Sequence, residues 1–165
     1  MVEDVVRALG HLSLGTRLRR IGEQLQSETQ RVLDAGGLSV QASQCPVLVA
    51  VERLGPVTVG DLALALGITQ PGATRAVGIL VEAGSLEVLK SEGDARVRLV
   101  ALSPAGKALV ARLRAEMWPQ IDRAVAHLCA PLAGPLLDQL DALEAALHEI
   151  PLPERIAALK EESAL

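Results

Sequence analysis

The chain has 165 residues, half of them apolar, with one Trp, no Tyr, no Phe and a formal charge of −4. That length suits one domain with a core of Leu, Val, Ile and Ala, which favours helices packed through small residues over an aromatic-filled sandwich. No apolar run approaches the ~18 residues of a membrane span, and two cysteines make no disulfide framework.

Glu3, Asp4 and Arg7 interrupt the stretch where a signal peptide would be apolar, so a soluble cytoplasmic protein without membrane association is expected. Residues 2–34 read as one long helix, with Val2, Val5, Val6, Leu9 and Leu12, then Leu14, Leu18, Ile21 and Leu25 at helical spacings. Gly10, Gly15 and Gly22 each cost up to ~1 kcal/mol against Ala there; they bend the helix or admit a neighbour closely. Gly36–Gly37 ends it.

A second helix is expected over 41–54, stopping at Gly55–Pro56. Pro46 either lies in its first turn, with Ser43 as N-cap, or kinks it. Thr58, with Asp61 three residues on, opens a short third helix that buries Leu62, Ala63 and Leu66. Thr69 caps a fourth, with Pro71 in its first turn and Gly84 at its end. Two strands follow, about 86–90 and 96–102, around Ser91-Glu92-Gly93-Asp94. Ser103-Pro104 starts a fifth helix that runs to the Trp118–Pro119 region and resumes to about Leu128. A sixth spans about 132–149, striped by Leu136, Leu140, Leu143, Leu147 and Ile150, and the tail after Pro153 forms a frayed seventh.

The charge is uneven. Residues 131–165 hold seven acidic and two basic side chains, which leaves 1–130 slightly positive. Whole-chain charge therefore says little about one face of the fold.

On a helical wheel over 70–83, Ala73, Ala76, Val77, Leu80 and Ala83 gather on one side, and Pro71, Thr74, Arg75, Gly78 and Glu82 on the other. The second face is small and short, so another surface can approach it closely. Thr69 and the free N–H groups of the first turn suit a phosphate. Thr74 and Arg75 can reach phosphates or base edges, and an Arg can pair with guanine at two atoms. The hairpin adds Arg96 and Arg98, two residues apart on one strand face, with Lys90 across from them; such a wing can place an Arg in a narrow minor groove. Against this, residues 69–103 carry four basic and four acidic residues, and a lone Arg on a helix is usually a solvated charge. Composition leaves the two readings balanced. The order of short helix, tight turn, second helix and hairpin favours the winged helix-turn-helix.

Residues 58–107 resemble the MarR family of bacterial winged-helix transcriptional regulators, in "VTVGDLALALGITQPGATRAVGILVEAGSLEVL" and "SEGDARVRLVALSPAGKAL". The most specific part is Asp94-Ala95-Arg96 at the wing turn followed by Leu102-Ser103-Pro104-Ala105-Gly106. The flanks agree, since 37–55 looks like the family's second helix and 104–150 like its C-terminal dimerising helices. The resemblance implies a mainly α fold with a β-hairpin wing. It would be one domain over 1–165, with dimerisation helices at 1–35 and 105–165 and the winged helix-turn-helix at 41–103.

It further implies a homodimer, acting as a repressor, that lays one helix of each head in the major groove of a palindromic operator in double-stranded DNA. Carried over by position, the reader would be Gln70, Thr74, Arg75 and Gly78, and the wing Asp94 and Arg96, with Asp94 steadying Arg96; Thr69, Lys90 and Arg98 join the candidate DNA-binding residues from the reading of the residues above. The position between Asp94 and Arg96, often basic in the family, is Ala95, and the reading helix is poor in charge, which implies a smaller phosphate contribution. The alternative is a winged-helix module that binds protein instead of DNA.

The family commonly binds small, often aromatic, anions in a cleft between the dimer helices and the reading head. Arg17, Cys45, Arg112 and Trp118 are the candidates to line such an effector pocket here, with ordinary packing as the other account of them. Without Tyr or Phe, little is available to stack on a phenolic ring. Cys45 and Cys129 could serve a redox-sensing regulator, but Cys45 has no Lys, Arg or His within five residues to lower its pKa, so inert thiols are expected. His11, His127 and His148 lack metal spacing. No catalytic triad order, carboxylate pair or phosphate loop appears, so neither an enzyme nor a cofactor is expected.

Overall fold

The computed structural model describes residues 2–91, 93 and 97–162. The chain divides into two compact units, Met1–Ile121 and Asp122–Leu165.

The first unit opens with α1 (Val5–Ala8), a 3₁₀ turn at Gly10–Ser13, and α2 (Leu14–Ala35). The single helix expected over 2–34 is therefore broken. Gly10 sits at φ +58, a left-handed conformation that glycine adopts without a Cβ penalty and that no α-helix continues through. Asp4 holds the broken piece in place: its carboxylate accepts from the Arg7 backbone N–H at 3.1 Å and from both Arg20 terminal nitrogens at 3.2 and 2.9 Å. The Arg20 hydrogen bonds are the main reason its carboxyl lies below the usual range. Gly15 and Gly22 stay helical, with open space where a Cβ would stand.

The end of α2 is a Schellman closure. Gly37 takes φ +66 while the Leu38 N–H returns to the Leu33 carbonyl and the Gly37 N–H to Asp34. This puts Leu33 and Leu38 together in the core. A 3₁₀ turn at Ala42–Gln44 leads into α3 (Cys45–Leu54), with Pro46 in the first turn and no kink. Ser43 is not the cap; Gln41 and Gln44 exchange side-chain and backbone bonds ahead of the helix instead.

Next come α4 (Val59–Leu66), α5 (Gln70–Glu82), β1 (Leu86–Lys90), β2 (Arg98–Leu102) and α6 (Pro104–Arg112). The strands pair antiparallel, Leu86 opposite Leu102 through Lys90 opposite Arg98, and Val57 exchanges both backbone bonds with Val100 on the other edge of β2. Leu33, Leu48, Leu62, Leu80 and Leu113, with Val51, Val100 and Val110, are fully buried. The core is thus aliphatic, as the composition requires. Leu66 is only half-buried and Ala83 is exposed, because each stands at the end of its helix.

After α6 the chain makes a π-helical turn, Leu113–Met117, and continues into α7 (Trp118–Cys129). Pro119 has no N–H to give and its ring crowds the carbonyl four residues earlier; the widened turn absorbs both demands without ending the helix.

The second unit begins within α7 and contains α8 (Leu136–Glu149) and α9 (Leu152–Glu162). α8 starts four residues later than the leucine pattern predicts. Gly134 at φ +80 and Pro135 hold the preceding segment as a turn, where the Gln139 side chain bonds the Ala133 carbonyl. No residue of α7 or α8 is buried, although both carry an apolar stripe. Among the described residues no single helix is long and apolar enough to cross a membrane.

Candidate nucleic-acid interface and the adjoining cleft

The two helices of the helix-turn-helix, α4 and α5, each begin with a side-chain cap. The Thr58 hydroxyl accepts from the Asp61 N–H and donates to its carboxylate at 2.7 Å. The chain leaves α4 through Gly67 at φ +63, with the Ile68 N–H bonded back to Ala63. It turns by 110° into α5, within the range of a helix-turn-helix. Thr69 caps α5 by accepting from the Gly72 N–H.

Ala73, Val77 and Leu80 are the buried positions of α5, while Gln70, Pro71, Thr74, Arg75, Gly78 and Glu82 are exposed. Ile79 is 40% exposed and adds an apolar contact that the wheel did not single out. The Thr74 hydroxyl donates to the Gln70 carbonyl at 2.9 Å, so it presents an acceptor oxygen and a methyl group outward. Arg75 has no ion-pair partner among the described residues. At Gly78 a Cβ would meet open space, so the fold itself does not require the glycine.

A backbone knot ties the hairpin to α5. Gly84 turns at φ +73, the Ser85 N–H returns to Leu80, and the Ser103 N–H bonds the Ser85 carbonyl. The Ser103 hydroxyl donates to Gly84 at 2.6 Å and accepts from the Gly106 N–H, which starts α6. A Cβ on Gly106 would lie 1.9 Å from the Ser85 carbonyl oxygen. This close approach gives the glycine of the Ser-Pro-x-Gly stretch its reason, which no local pattern discloses.

The two strands place their described charges on different faces. Strand alternation puts Lys90 and Arg98 on the face of Leu86, Val100 and Leu102, and Glu87 on the other. Lys90 and Arg98 are directly opposite, both exposed and without an ion-pair partner among the described residues. Glu92, which also enters the charge balance over 69–103, lies outside the described residues. Asp94 and Arg96, the wing-tip pair singled out in the sequence, lie outside the described residues.

Of the four pocket candidates the structure brings two together. Cys45 and Trp118 line a cleft of about 530 Å³ in the first unit, with walls from α2, α3, α4 and α7. Arg17 and Arg112 are not among its lining; Arg112 is engaged with Glu116 at 3.0 Å and the Gly36 carbonyl at 2.9 Å. The basic residue that does line the cleft is Arg53, on the last turn of α3. Its lack of a sequence signal is understandable, since a single Arg before a Gly-Pro stop reads as a solvated helix end. Burial pushes the Cys45 thiol up, against a hydrogen bond with Trp118 that acts the other way. Arg114 stands 5.8 Å from the centre of the Trp118 ring and also pairs with Glu52 of α3. Cys129 is half-buried and free.

Residues 37–97 match the model of the MarR family. Among solved structures, the chain is similar to apo wild-type MarR from E. coli, with 22% identity, a TM-score of 0.57, and coverage of 82% of this chain and 95% of that one. An E. coli MarR mutant complexed with operator DNA gives 24% identity, a TM-score of 0.58 and coverage of 81% and 92%. The PcaV transcriptional regulator from Streptomyces coelicolor, in complex with its natural ligand, gives 19%, 0.66, and coverage of 90% and 97%. These are likenesses of fold. No curated protein matches the chain significantly.

Proposed function

We propose that the chain, whose residues 37–97 match the MarR family model, is a MarR-type winged-helix protein that regulates transcription by binding double-stranded DNA sequence-specifically as a homodimer. The observation that carries this is a set of exposed, unpaired bases on the head. Arg75, Lys90 and Arg98 are exposed without counter-ions among the described residues, and the outward face of α5 is small enough for close approach. Thr69, Gln70, Thr74, Arg75 and Gly78 serve as the major-groove face, and Lys90, Asp94, Arg96 and Arg98 as the wing. The operator-bound E. coli relative supports the same use of the fold.

Repression at a palindromic operator, relieved by a small molecule in the Trp118 cleft, completes the reading; the ligand-bound PcaV structure supports the second part. Dimer contacts come from the helices at 1–35 and 105–165. Leu12 is 85% exposed on the N-terminal side and Leu147 is half-exposed on α8, and such stripes seek a partner. The role is one of binding, not catalysis.

The test is selection of bound fragments from a genomic library, repeated with Arg75→Ala. Loss of a two-point base contact costs ~1–3 kcal/mol and relaxes preference at one position per half-site. Failure of the wild type to enrich any sequence would replace this reading with a protein-interaction module.

A further inference from the structure

The cleft beside α3 has an uneven lining. Leu33, Val49, Leu54, Leu66 and Ile121 form an aliphatic trough, and among the described residues Arg53 is the single charged residue in it and Trp118 the single ring. Arg53 is exposed and has no hydrogen bond or ion pair among the described residues, whereas Arg19, Arg20, Arg31, Arg112 and Arg114 are all paired. Its volume of about 530 Å³ is within the range that small-molecule sites occupy.

We propose that this cleft takes a saturated medium-chain carboxylate, with the chain in the aliphatic trough and the carboxylate on the Arg53 guanidinium. One cation at the rim of an apolar trough matches one anionic group on an apolar body. A dianion such as a phosphate ester would need more donors than the lining supplies. A flat aromatic acid would need ring faces, and the lining has only the indole of Trp118, which already carries Arg114 over it. Branched aliphatic walls instead wrap a flexible chain, each methylene adding apolar contact. The assignment rests on the reading of this cleft as the regulator's effector site.

The test uses Trp118, the sole tryptophan, as the reporter in the full-length protein. Its fluorescence is titrated with hexanoate, octanoate and decanoate below their micelle concentrations, and with benzoate and decanol for comparison. Affinity should rise about fourfold per methylene, or about sixteenfold per two-carbon step, until the trough is full. Arg53→Gln should weaken decanoate at least tenfold and leave decanol unchanged, because only the acid uses a charge-assisted bond. Ala50→Phe, which fills the trough, should abolish both, with helical content unchanged.

Benzoate binding more tightly than decanoate, no dependence on chain length, or an Arg53→Gln variant that binds decanoate like wild type would each overturn the proposal. Operator-fragment binding is measured separately in the same samples. Decanoate that binds without changing DNA affinity supports the ligand class and removes the effector role. Selective DNA binding with no carboxylate binding overturns the ligand class and leaves the regulator standing.

Discussion

Lys90 and Arg98 stand directly opposite each other across the two strands, two like charges on the hairpin face that also carries the buried Leu86, Val100 and Leu102. Like charges in register destabilise a strand pair, so the arrangement costs the hairpin stability unless an anion lies between them. A phosphate would turn the cost into a site. Lys90→Thr should therefore raise the unfolding free energy at low salt by a few tenths of a kcal/mol, read as a higher melting midpoint. The same change should lower DNA affinity and make its salt dependence shallower by roughly one unit in slope. Thermal melts and titrations at two salt concentrations check both; an unchanged slope would remove Lys90 from the interface.

Two glycines should respond in opposite directions. Gly78 lies inside α5 with open space around its missing Cβ, so Gly78→Ala should stabilise the fold by up to ~1 kcal/mol while weakening DNA binding through lost close approach. In Gly106→Ala the new methyl would stand 1.9 Å from a backbone oxygen that cannot swing away, and destabilisation of about 1–3 kcal/mol or more is expected. Urea unfolding of the two variants distinguishes them. Equal effects would mean that the Ser85–Gly106 approach is not what joins hairpin to helix.

Burial holds the Cys45 thiol protonated above the ordinary thiol range. A group whose pKa rises on folding keeps its proton in the native state after the unfolded chain has lost it. Its contribution to stability is complete below the unfolded thiol's pKa and is lost as pH climbs through the folded one. The stability difference between wild type and Cys45→Ala should accordingly narrow on the alkaline side. At neutral pH, peroxide should leave DNA binding intact, since the thiolate is the reactive form. Release of wild type but not of Cys45→Ser by peroxide would contradict this.

Leu140→Asp combined with Leu147→Asp places two charges on the apolar stripe of α8. Both positions keep solvent access in the single chain, half-buried and half-exposed respectively, so the fold should tolerate them. Sedimentation should show monomer in place of dimer at micromolar concentration, with operator binding lost in parallel. A wild-type chain that sediments as a monomer would refute the dimeric reading directly.

What the sequence determined by itself was local. Thr58 with Asp61, Thr69 with Pro71, and Ser103 with Pro104 each announce a helix start because a cap acts within three residues of itself. Leu86–Lys90 reads as a strand because a turn sequence, Ser91 to Asp94, follows it directly. Gly10 was visible as a glycine, but whether it bends, packs or breaks the first helix depended on the Asp4–Arg20 contact sixteen residues apart.

Tertiary structure alone decided three matters. It put Arg53 rather than Arg17 or Arg112 in the cleft with Cys45 and Trp118. It showed that Gly106 is required by the carbonyl of Ser85. It also put the described strand charges on different faces, Lys90 and Arg98 on one and Glu87 on the other. In each case the deciding neighbour is brought in by the fold, across turns that periodicity does not measure, and an aliphatic core offers no distinctive residue to mark where two distant segments meet.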